Sequence, residues 1–227
     1  MPTADTMNVL LDLDGTLTDS GEGIARSIAH ALAGLGRPSP DWTGLTRYVG
    51  PPLAETFRTL LGTADEALVR EALRLYRKRF AAVGIFENRV YAGIPAGLSG
   101  LRAQGYRLWV ATTKPHVFAR QVLEHFGLAS HFAGVYGSEL TGERTDKGEL
   151  IRHLLASERL PAQTAVMVGD REHDIHGARQ NGLQAIGVSW GYGAAGELAA
   201  ARPAAIVESP GGLVAAVQRL LPSRGEK

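Results

Sequence analysis

The sequence predicts a three-layer α/β/α fold with an all-helical domain inserted after its first strand. Three observations lead to this prediction. Short apolar runs of strand length recur along the chain, and helical patterns lie between most of them. The stretch from about Ser20 to Glu87 breaks this alternation, because it contains helical patterns and no good strand. The chain has 227 residues, enough to bury a core without disulfides, and it contains no cysteine.

The first strand is predicted at Val9–Leu11, where a short apolar run leads into the polar sequence Asp12-Leu13-Asp14-Gly15. This pattern is typical of a buried strand that reaches its carboxyl end. Later strands are predicted at similar apolar runs, which are residues 108–111, 134–136, 165–168, 185–188 and 205–207. Because strands and helices alternate, we expect a Rossmann-like parallel sheet with helices on both faces.

Three helices of the core are predicted from apolar spacing and from the residues at their ends. The first runs from about Pro95 to Gly105, because proline suits a first helical turn and glycine a helix end. The second runs from Phe118 to Gly127, with apolar residues spaced by four. The third lies near residues 147–158.

The inserted segment is predicted to form a separate helical domain. Its apolar residues fall into two stripes with helical spacing, Ile24, Ile28, Leu32 and Leu35 in one and Leu53, Phe57 and Leu60 in the other. Thr63 and Glu66 have the spacing of a capping box, which predicts the start of a further helix. The predicted boundaries place residues 1–18 and 89–227 in the α/β core domain and residues 19–88 in the helical cap domain.

Polar residues follow the predicted strands at the edge where open parallel sheets bind their ligands. Asp12 and Asp14 follow the first strand, Thr112 the second and Asp170 the strand at 165–168, whereas Lys147 begins the helix before that last strand. We expect these side chains to converge. Taken alone, the two acids before Gly15 fit an Asp-Gly turn with solvent-exposed carboxylates equally well. A calcium loop does not fit, because its glycine belongs at the sixth loop position and here stands at the fourth.

The complete set of motifs resembles the haloacid dehalogenase superfamily. Its four motifs match Asp12-Leu13-Asp14-Gly15-Thr16, Thr112, Lys147 and Gly169-Asp170 with Asp174. The resemblance extends from Val9 to about Val207, and the insert stands where that superfamily has a helical C1-type cap. Other segments resemble its phosphoglycolate phosphatase and 5′-nucleotidase-like branch, namely residues 48–53, 111–115, 169–175 and 189–193. One departure is Thr113, because that branch often has asparagine there.

The resemblance implies a Mg2+-dependent phosphatase that acts on a small phosphate monoester, such as phosphoglycolate or a nucleoside 5′-monophosphate. Asp12 would be the nucleophile that forms an aspartyl-phosphate, and Asp14 would be the general acid and base. The implied Mg2+ ligands are Asp12, Asp14 through its backbone carbonyl, and Asp170. Alternatives are a phosphosugar mutase on the same core and a non-catalytic binding protein.

Other residues of the motifs would support this chemistry. Thr112 and Lys147 are implied as catalytic residues that hold the phosphoryl oxygens, together with Thr113. Asp174 would orient Lys147 or a water on the metal, and a role as a helix N-cap is compatible with this. The assignment of Lys147 has competitors among polar residues nearby in the sequence, namely Lys114, Thr141 and Asp146.

Substrate choice is expected to depend on the cap, where Arg47, Gly50 and Pro51 are the candidates. Arg47 could hold a substrate carboxylate or a second phosphate through two hydrogen bonds. A surface arginine without such a role is an equal alternative.

Two other motifs are interpreted as structural. Residues 191–196 match a dinucleotide fingerprint letter by letter, but they follow the strand at 185–188 and not the first strand. We interpret them as a flexible strand-to-helix turn. Glu172, His173, Asp174 and His176 could suggest zinc, but no further ligand cluster supports it, and solvent-exposed polar residues are the better interpretation.

Charge and hydropathy argue against two classes of partner. The formal net charge is +1 and no basic run stands out, so a nucleic-acid surface is not expected. No segment has the apolar length of a membrane span, and the first residues do not resemble a signal peptide. We therefore expect a soluble, cytoplasmic protein, monomeric or homodimeric, whose partner is a small phosphate monoester.

Overall fold

The computed structural model describes residues 6–222, which divide into two compact units. The core unit contains the chain up to Thr18 and again from Val90, and the helical unit is Asp19–Arg89. The strands are β1 (Asn8–Leu11), β2 (Thr18–Asp19), β3 (Arg89–Val90), β4 (Arg107–Pro115), β5 (Gly134–Ser138), β6 (Ala165–Gly169), β7 (Gln184–Val188) and β8 (Ala205–Val207). The helices are α1 (Gly21–Gly34), α2 (Leu53–Leu61), α3 (Glu66–Arg79), α4 (Ile94–Ala103), α5 (His116–His125), α6 (Lys147–Glu158), α7 (Glu172–Gln180), α8 (Glu197–Ala201) and α9 (Leu213–Leu220).

The core unit is built on one six-stranded parallel sheet in the order β5-β4-β1-β6-β7-β8. Strand β1 lies between β4 and β6, with Leu11 opposite Val110 on one side and Val168 on the other. All four residues of β1 are buried, as expected for a strand covered on both faces. The predicted α/β architecture with an inserted helical segment is confirmed.

Large apolar side chains from neighbouring strands fill one side of this sheet. Leu10, Trp109 and Met167 are buried there against residues of α6 and α7, including Ile151 and Ile175. Each such side chain contributes about 2–3 kcal/mol by burial. The indole of Trp109 is fully buried, and its Nε1 donates to Asn8 Oδ1 at 2.9 Å, so its polar group is satisfied.

The helical unit packs around three aromatic residues. Tyr76 of α3 stacks on Phe80 with ring centroids 5.5 Å apart and meets Phe57 of α2 edge-on at 6.2 Å. Arg79 donates to both carboxylate oxygens of Glu87 at 2.7 and 2.9 Å, which ties the end of α3 to the segment that leaves the unit. The short strands β2 and β3 pair with each other where the chain enters and leaves the unit.

The capping box predicted from Thr63 and Glu66 is wrong. Helix α3 begins at Glu66, and its N-cap is Asp65, whose Oδ1 accepts from the backbone N–H groups of Ala67 and Leu68 at 2.8 and 3.4 Å. Thr63 instead accepts a hydrogen bond from the backbone of Asp65 at 3.1 Å. The aspartate stands closer to the unpaired N–H groups of the first turn, so it takes the capping position.

Within residues 6–222, no helix combines the length and the apolar character that a membrane crossing requires.

Candidate active site

The sheet order brings the predicted site residues to one edge. Asp12 directly follows β1, and its backbone N–H donates to Val168 O of β6 at 2.9 Å. Asp170 follows β6, and Thr112 lies near the end of β4. Since β4 and β6 flank β1, the three residues meet at the carboxyl edge of three neighbouring strands. All three are buried.

Lys147 reaches this edge from the first turn of α6. Its Nζ lies 3.0 Å from Asp12 Oδ1 and 2.7 Å from Asp174 Oδ1, and it donates to the backbone carbonyl of Ala111 at 2.9 Å. Helices α6 and α7 approach closely at Gly148 and Gly177, since a Cβ on Gly177 would lie 2.9 Å from Gly148 N. This close packing places Lys147 beside Asp174.

The charge of Lys147 is stabilised by its two acidic neighbours. Burial favours the neutral amine, but the carboxylates of Asp12 and Asp174 outweigh it and raise the pKa of Lys147 above its usual value. Lys147 therefore carries a positive charge at any physiological pH. Its side chain is 4 % exposed, so this charge acts in a medium that screens it weakly.

Three buried acids form a cluster that Lys147 neutralises only in part. Oxygens of Asp12, Asp170 and Asp174 lie within 4.8 Å of one another. Burial is the main cause that raises the pKa of Asp12 to about 6, and Asp174 and Asp14 add to it while Lys147 opposes it. Burial followed by repulsion from Asp12 and Asp174 raises the pKa of Asp170 well above its usual value. Crowded carboxylate oxygens of this kind suit a hard divalent cation.

Asp14 has a different partner, Lys114. The Lys114 Nζ lies 2.8 Å from Asp14 Oδ1 and 2.7 Å from Oδ2. The sequence indicates Lys114 only as a competitor of Lys147, and the structure separates the two lysines. Lys147 is beside Asp12, whereas Lys114 is beside Asp14.

The loop after β7 holds Asp170, which the sequence did not indicate. The backbone N–H of Tyr192 donates to Asp170 Oδ2 at 2.8 Å, and the Thr16 hydroxyl donates to Oδ1 at 3.3 Å. A Cβ on Gly191 would lie 2.3 Å from Asp170 Oδ2, and a Cβ on Gly15 would lie 2.2 Å from it. The segment predicted as a turn is a turn, but its backbone packs directly on a site acid. Glycine is needed at both positions because the two loops meet on the same carboxylate.

Glu197 fixes this loop to the segment that follows Asp170. Its Oε1 accepts from Arg171 Nε at 2.8 Å and from the Glu172 N–H at 2.9 Å, while its Oε2 accepts from the Ala194 N–H at 2.9 Å. Burial acts to raise the pKa of Glu197, but the hydrogen bonds from Arg171 and the backbone outweigh it and lower this pKa. Glu197 thus connects the loop that contacts Asp170, through Ala194, to the segment that follows Asp170, through Arg171 and Glu172.

The remaining predicted residues have defined surroundings. The hydroxyl of Thr112 accepts from the Lys114 N–H at 3.3 Å, and the carbonyl of Thr113 accepts from Ser138 Oγ at 2.7 Å. Asp174 Oδ2 accepts from the Arg171 N–H at 3.1 Å. Asp174 therefore contacts Lys147 through one carboxylate oxygen and caps the start of α7 through the other. Its interpretation as a solvent-exposed residue in the zinc-like group is wrong, because it is 1 % exposed.

The histidines near Asp174 do not join the acid cluster. His173 and His176 are exposed, and the one metal-capable grouping found within residues 6–222 contains three aspartates and no histidine. The zinc interpretation therefore gains no support.

Of the candidate residues of the helical unit, Arg47 lies in the last turn of a 3₁₀ helix, Trp42–Tyr48, and Gly50 and Pro51 follow that helix. The Arg47 guanidinium lies 5.0 Å from the centre of the Tyr48 ring and donates to the Tyr48 hydroxyl at 3.3 Å. Gly50 has φ of +109°, a conformation that glycine adopts at little cost, and Pro51 follows it.

Substitution of Gly191 by alanine is expected to destabilise the protein by about 1–3 kcal/mol, because the new Cβ would overlap Asp170 Oδ2 and Gly15 O at 2.3 and 2.4 Å. Thermal denaturation measures this loss. The matched control is Gly44→Ala, where a Cβ would meet nothing within 4 Å. Equal melting temperatures for the two variants would contradict the close packing on Asp170.

Comparisons with known proteins agree with this geometry. A family model described as haloacid dehalogenase-like hydrolase matches residues 9–188. The chain is 52% identical over 196 residues to a 5′-nucleotidase of Pseudomonas aeruginosa, covering 86% of this chain and 88% of that protein. It is 44% identical over 188 residues to the tyrosine-protein kinase PtkA of Mycobacterium tuberculosis, covering 82% of this chain but 63% of that protein. A crystal structure of a predicted phosphatase from Clostridium acetobutylicum superimposes with a TM-score of 0.90 at 43% identity, covering 94% of this chain and 99% of that one.

Proposed function

Because the chain belongs to the haloacid dehalogenase-like hydrolases and is a phosphatase of that superfamily, we propose that it hydrolyses small phosphate monoesters through an aspartyl-phosphate on Asp12. The observation that carries this proposal is the position of Asp12. Its carboxylate lies at the centre of the carboxyl edge, next to a buried ammonium and close to two further acids.

Asp12 is suited to attack phosphorus. A carboxylate is nucleophilic only when ionised, and the nearby charge of Lys147 favours that form. With a pKa of about 6, Asp12 is mostly ionised at neutral pH. In the first step an Asp12 oxygen bonds to phosphorus as the bond to the leaving oxygen breaks, and Asp14 donates a proton to that oxygen. In the second step Asp14 removes a proton from water, which attacks phosphorus and releases phosphate from Asp12.

The residues fit Mg2+ as the cofactor. Asp12 and Asp170 would hold it through their carboxylates, and Asp14 through its backbone carbonyl, because Mg2+ prefers oxygen ligands. When all are ionised, the acids Asp12, Asp14, Asp170 and Asp174 outnumber Lys114 and Lys147 by two charges, which one divalent cation balances. Bound Mg2+ would supply the positive charge that offsets the charge of the substrate phosphoryl group.

Thr112, Thr113 and Lys147 are the proposed ligands of the phosphoryl oxygens. Lys147 carries a buried charge beside the proposed nucleophile, and Thr112 lies in the second half of the neighbouring strand β4. Asp174 would keep Lys147 in place through their 2.7 Å contact. The hydroxyl and backbone N–H of Thr113 would donate where related phosphatases have asparagine.

The proposed substrate class is nucleoside 5′-monophosphates, with phosphoglycolate as the alternative. The 52% identity to a protein named 5′-nucleotidase favours nucleotides. Arg47, Gly50 and Pro51 are the proposed contacts that select the substrate. An arginine suits the second anionic group of phosphoglycolate or stacking on a nucleobase.

A second candidate function is phosphoryl transfer to a tyrosine hydroxyl. The 44% identity to the tyrosine-protein kinase PtkA favours it. Hydrolysis is preferred, because the 5′-nucleotidase is more similar and this chain covers 88% of it.

The test is phosphate release from a panel of monoesters that contains nucleoside 5′-monophosphates, phosphoglycolate and sugar phosphates. Each is assayed with Mg2+, with chelator, and with the Asp12→Asn variant as blank. Release that needs both Mg2+ and Asp12 supports the proposal. Isomerised sugar phosphate with little free phosphate would indicate a mutase instead, and transfer from ATP to a tyrosine peptide would indicate a kinase. A panel with no reaction at all would leave a non-catalytic binding protein.

The metal-free protein is expected to lose stability as the pH rises from about 4 to about 6. The folded-state pKa of Asp12 is raised to about 6 from 3.8, so in this window the folded state binds more protons than the unfolded state, and deprotonation favours unfolding. The loss is on the order of 3 kcal/mol. Urea unfolding in the presence of chelator gives the free energy of unfolding at each pH in this range. The difference in this free energy between wild type and Asp12→Asn measures the loss. A difference that does not change with pH would contradict the burial of an ionisable Asp12.

Addition of Mg2+ is expected to reverse this loss. The cation binds the ionised carboxylates and only the folded state assembles them, so the melting temperature should rise more at pH 7.5 than at pH 5. The Asp170→Asn variant, which removes one proposed ligand, should show a smaller rise. An equal rise for both proteins would count against Asp170 as a ligand.

A further inference from the structure

Lys114 contacts both carboxylate oxygens of Asp14, and the proposed reaction gives this contact no role. Its Nζ lies 2.8 Å from one Asp14 carboxylate oxygen and 2.7 Å from the other. The Lys114 side chain is 5 % exposed and that of Asp14 is 12 % exposed. A contact this buried is held more rigidly than a surface ion pair, whose net contribution is usually small.

The backbone of β4 is shaped to bring Lys114 to this position. The pairing of β4 with β5 shifts register between Thr112 and Pro115, which marks an irregularity of the strand. Such bulges redirect side chains at the ends of strands. The glycine at position 137 of β5 leaves room for it, since a Cβ there would lie 2.5 Å from Lys114 O and 2.7 Å from His116 N. Lys114 therefore points at Asp14 because of a local feature of the fold.

We propose that Lys114 is a positioning residue, which holds the Asp14 carboxylate in the orientation that proton transfer to the leaving oxygen requires. The inference rests on the proposed function, in which Asp14 is the acid and base. A carboxylate that is not held turns about its terminal torsion, and its oxygens are then poorly placed for transfer. The ammonium takes one lone pair of each oxygen and leaves the others for the leaving group and for water.

The two lysines of the site therefore have separate roles. Lys147 lies beside the attacking atom of Asp12, so its loss should affect every substrate. Lys114 lies beside Asp14, the proposed proton donor. The effect of its loss should therefore be larger for a leaving oxygen that needs a proton more. An alkoxide leaving from a nucleotide needs one, whereas a nitrophenolate leaves readily without one.

The experiment compares Lys114→Met with wild type on a nucleoside 5′-monophosphate and on p-nitrophenyl phosphate. The kcat/KM for each substrate reports steps up to cleavage of the ester. We expect kcat/KM for the nucleotide to fall by about 10²–10³-fold, which is within the range that general acid catalysis contributes. The kcat/KM for p-nitrophenyl phosphate should fall by less than about 10-fold, because its leaving group needs no proton. With p-nitrophenyl phosphate, the variant should show a burst of nitrophenolate, because the second step still needs Asp14 as base.

The matched control is Lys78→Met, which removes an exposed lysine of the helical unit and should change neither kcat/KM. Equal losses on both substrates would overturn the positioning role, since general damage to the site does not depend on the leaving group. Unchanged kcat/KM for the nucleotide would overturn it as well.

A thermal double-mutant cycle tests the contact without any activity. Lys114→Met and Asp14→Asn should each lower the melting temperature, and the double variant should lower it by less than the two shifts together. Additive shifts in melting temperature would show that Lys114 does not hold Asp14. A wild-type protein that hydrolyses nothing would overturn the proposed function, while the cycle would still decide whether Lys114 holds Asp14.

Discussion

Substitution of Asp12 by asparagine abolishes nearly all phosphate release, with an expected loss of about 10³-fold or more in kcat/KM. The amide keeps the shape of the side chain but cannot form the acyl phosphate. It also removes one negative charge from the cluster with Asp170 and Asp174. Phosphate release from the best substrate of the panel, at saturating Mg2+, measures the loss.

The same substitution should leave the fold intact. Burial raises the pKa of Asp12, so the ionised side chain opposes folding at neutral pH. The metal-free variant should therefore unfold at an equal or higher temperature than wild type. The control is Asp41→Asn, an exposed aspartate of the helical unit, which should keep full activity. Retention of more than a few per cent of activity in Asp12→Asn would exclude the covalent mechanism.

Substitution of Lys147 by methionine is expected to have the largest combined effect on stability and activity. It leaves Asp12 and Asp174 buried without the ammonium that now lies within 3.0 and 2.7 Å of them. Removal of one partner from a buried ionic group costs about 3–5 kcal/mol. The kcat/KM should also fall by about 10²–10³-fold, because the charge proposed to hold the phosphoryl oxygens is lost.

A second substitution separates these two effects. In the double variant Lys147→Met with Asp174→Asn, one uncompensated charge is removed, and roughly 1–2 kcal/mol of stability should return. Activity should not return, because Lys147 is still absent. Urea unfolding and phosphate release measure both quantities on wild type, Lys147→Met, Asp174→Asn and the double variant. Recovery of activity in the double variant would show that Lys147 acts only as the partner of Asp174.

The sequence was informative where a residue's role depends on its place along one strand. Asp12, Thr112 and Asp170 could be placed at a common edge because each follows an apolar run of strand length, and a parallel sheet brings such ends together. The family expected from the four motifs is confirmed by the match over residues 9–188. The requirement for Mg2+, the roles of the site residues and the domain boundaries remain proposals.

The sequence was less informative where a role depends on contact between distant segments. Nothing in the pattern around Thr16 or Tyr192 shows that both donate to Asp170. From the sequence, Lys114 is a competitor of Lys147, because the direction of its side chain depends on an irregularity of β4. Such irregularities leave little trace in sequence. The sequence does not single out Asp65 as the N-cap, because the spacing of Thr63 and Glu66 matches a capping box that the start of α3 does not form.

The central position of β1 also has a consequence for synthesis on the ribosome. Leu11 pairs with Val110 and Val168, which are synthesised later, so β1 must wait for both of its neighbours. The helical unit is continuous from Asp19 to Arg89 and can form its own contacts during that wait. Pairings over such sequence distances are slow to form. Asp12, the proposed nucleophile, therefore emerges well before the loop that holds Asp170, so nascent chains that end before Tyr192 should lack activity.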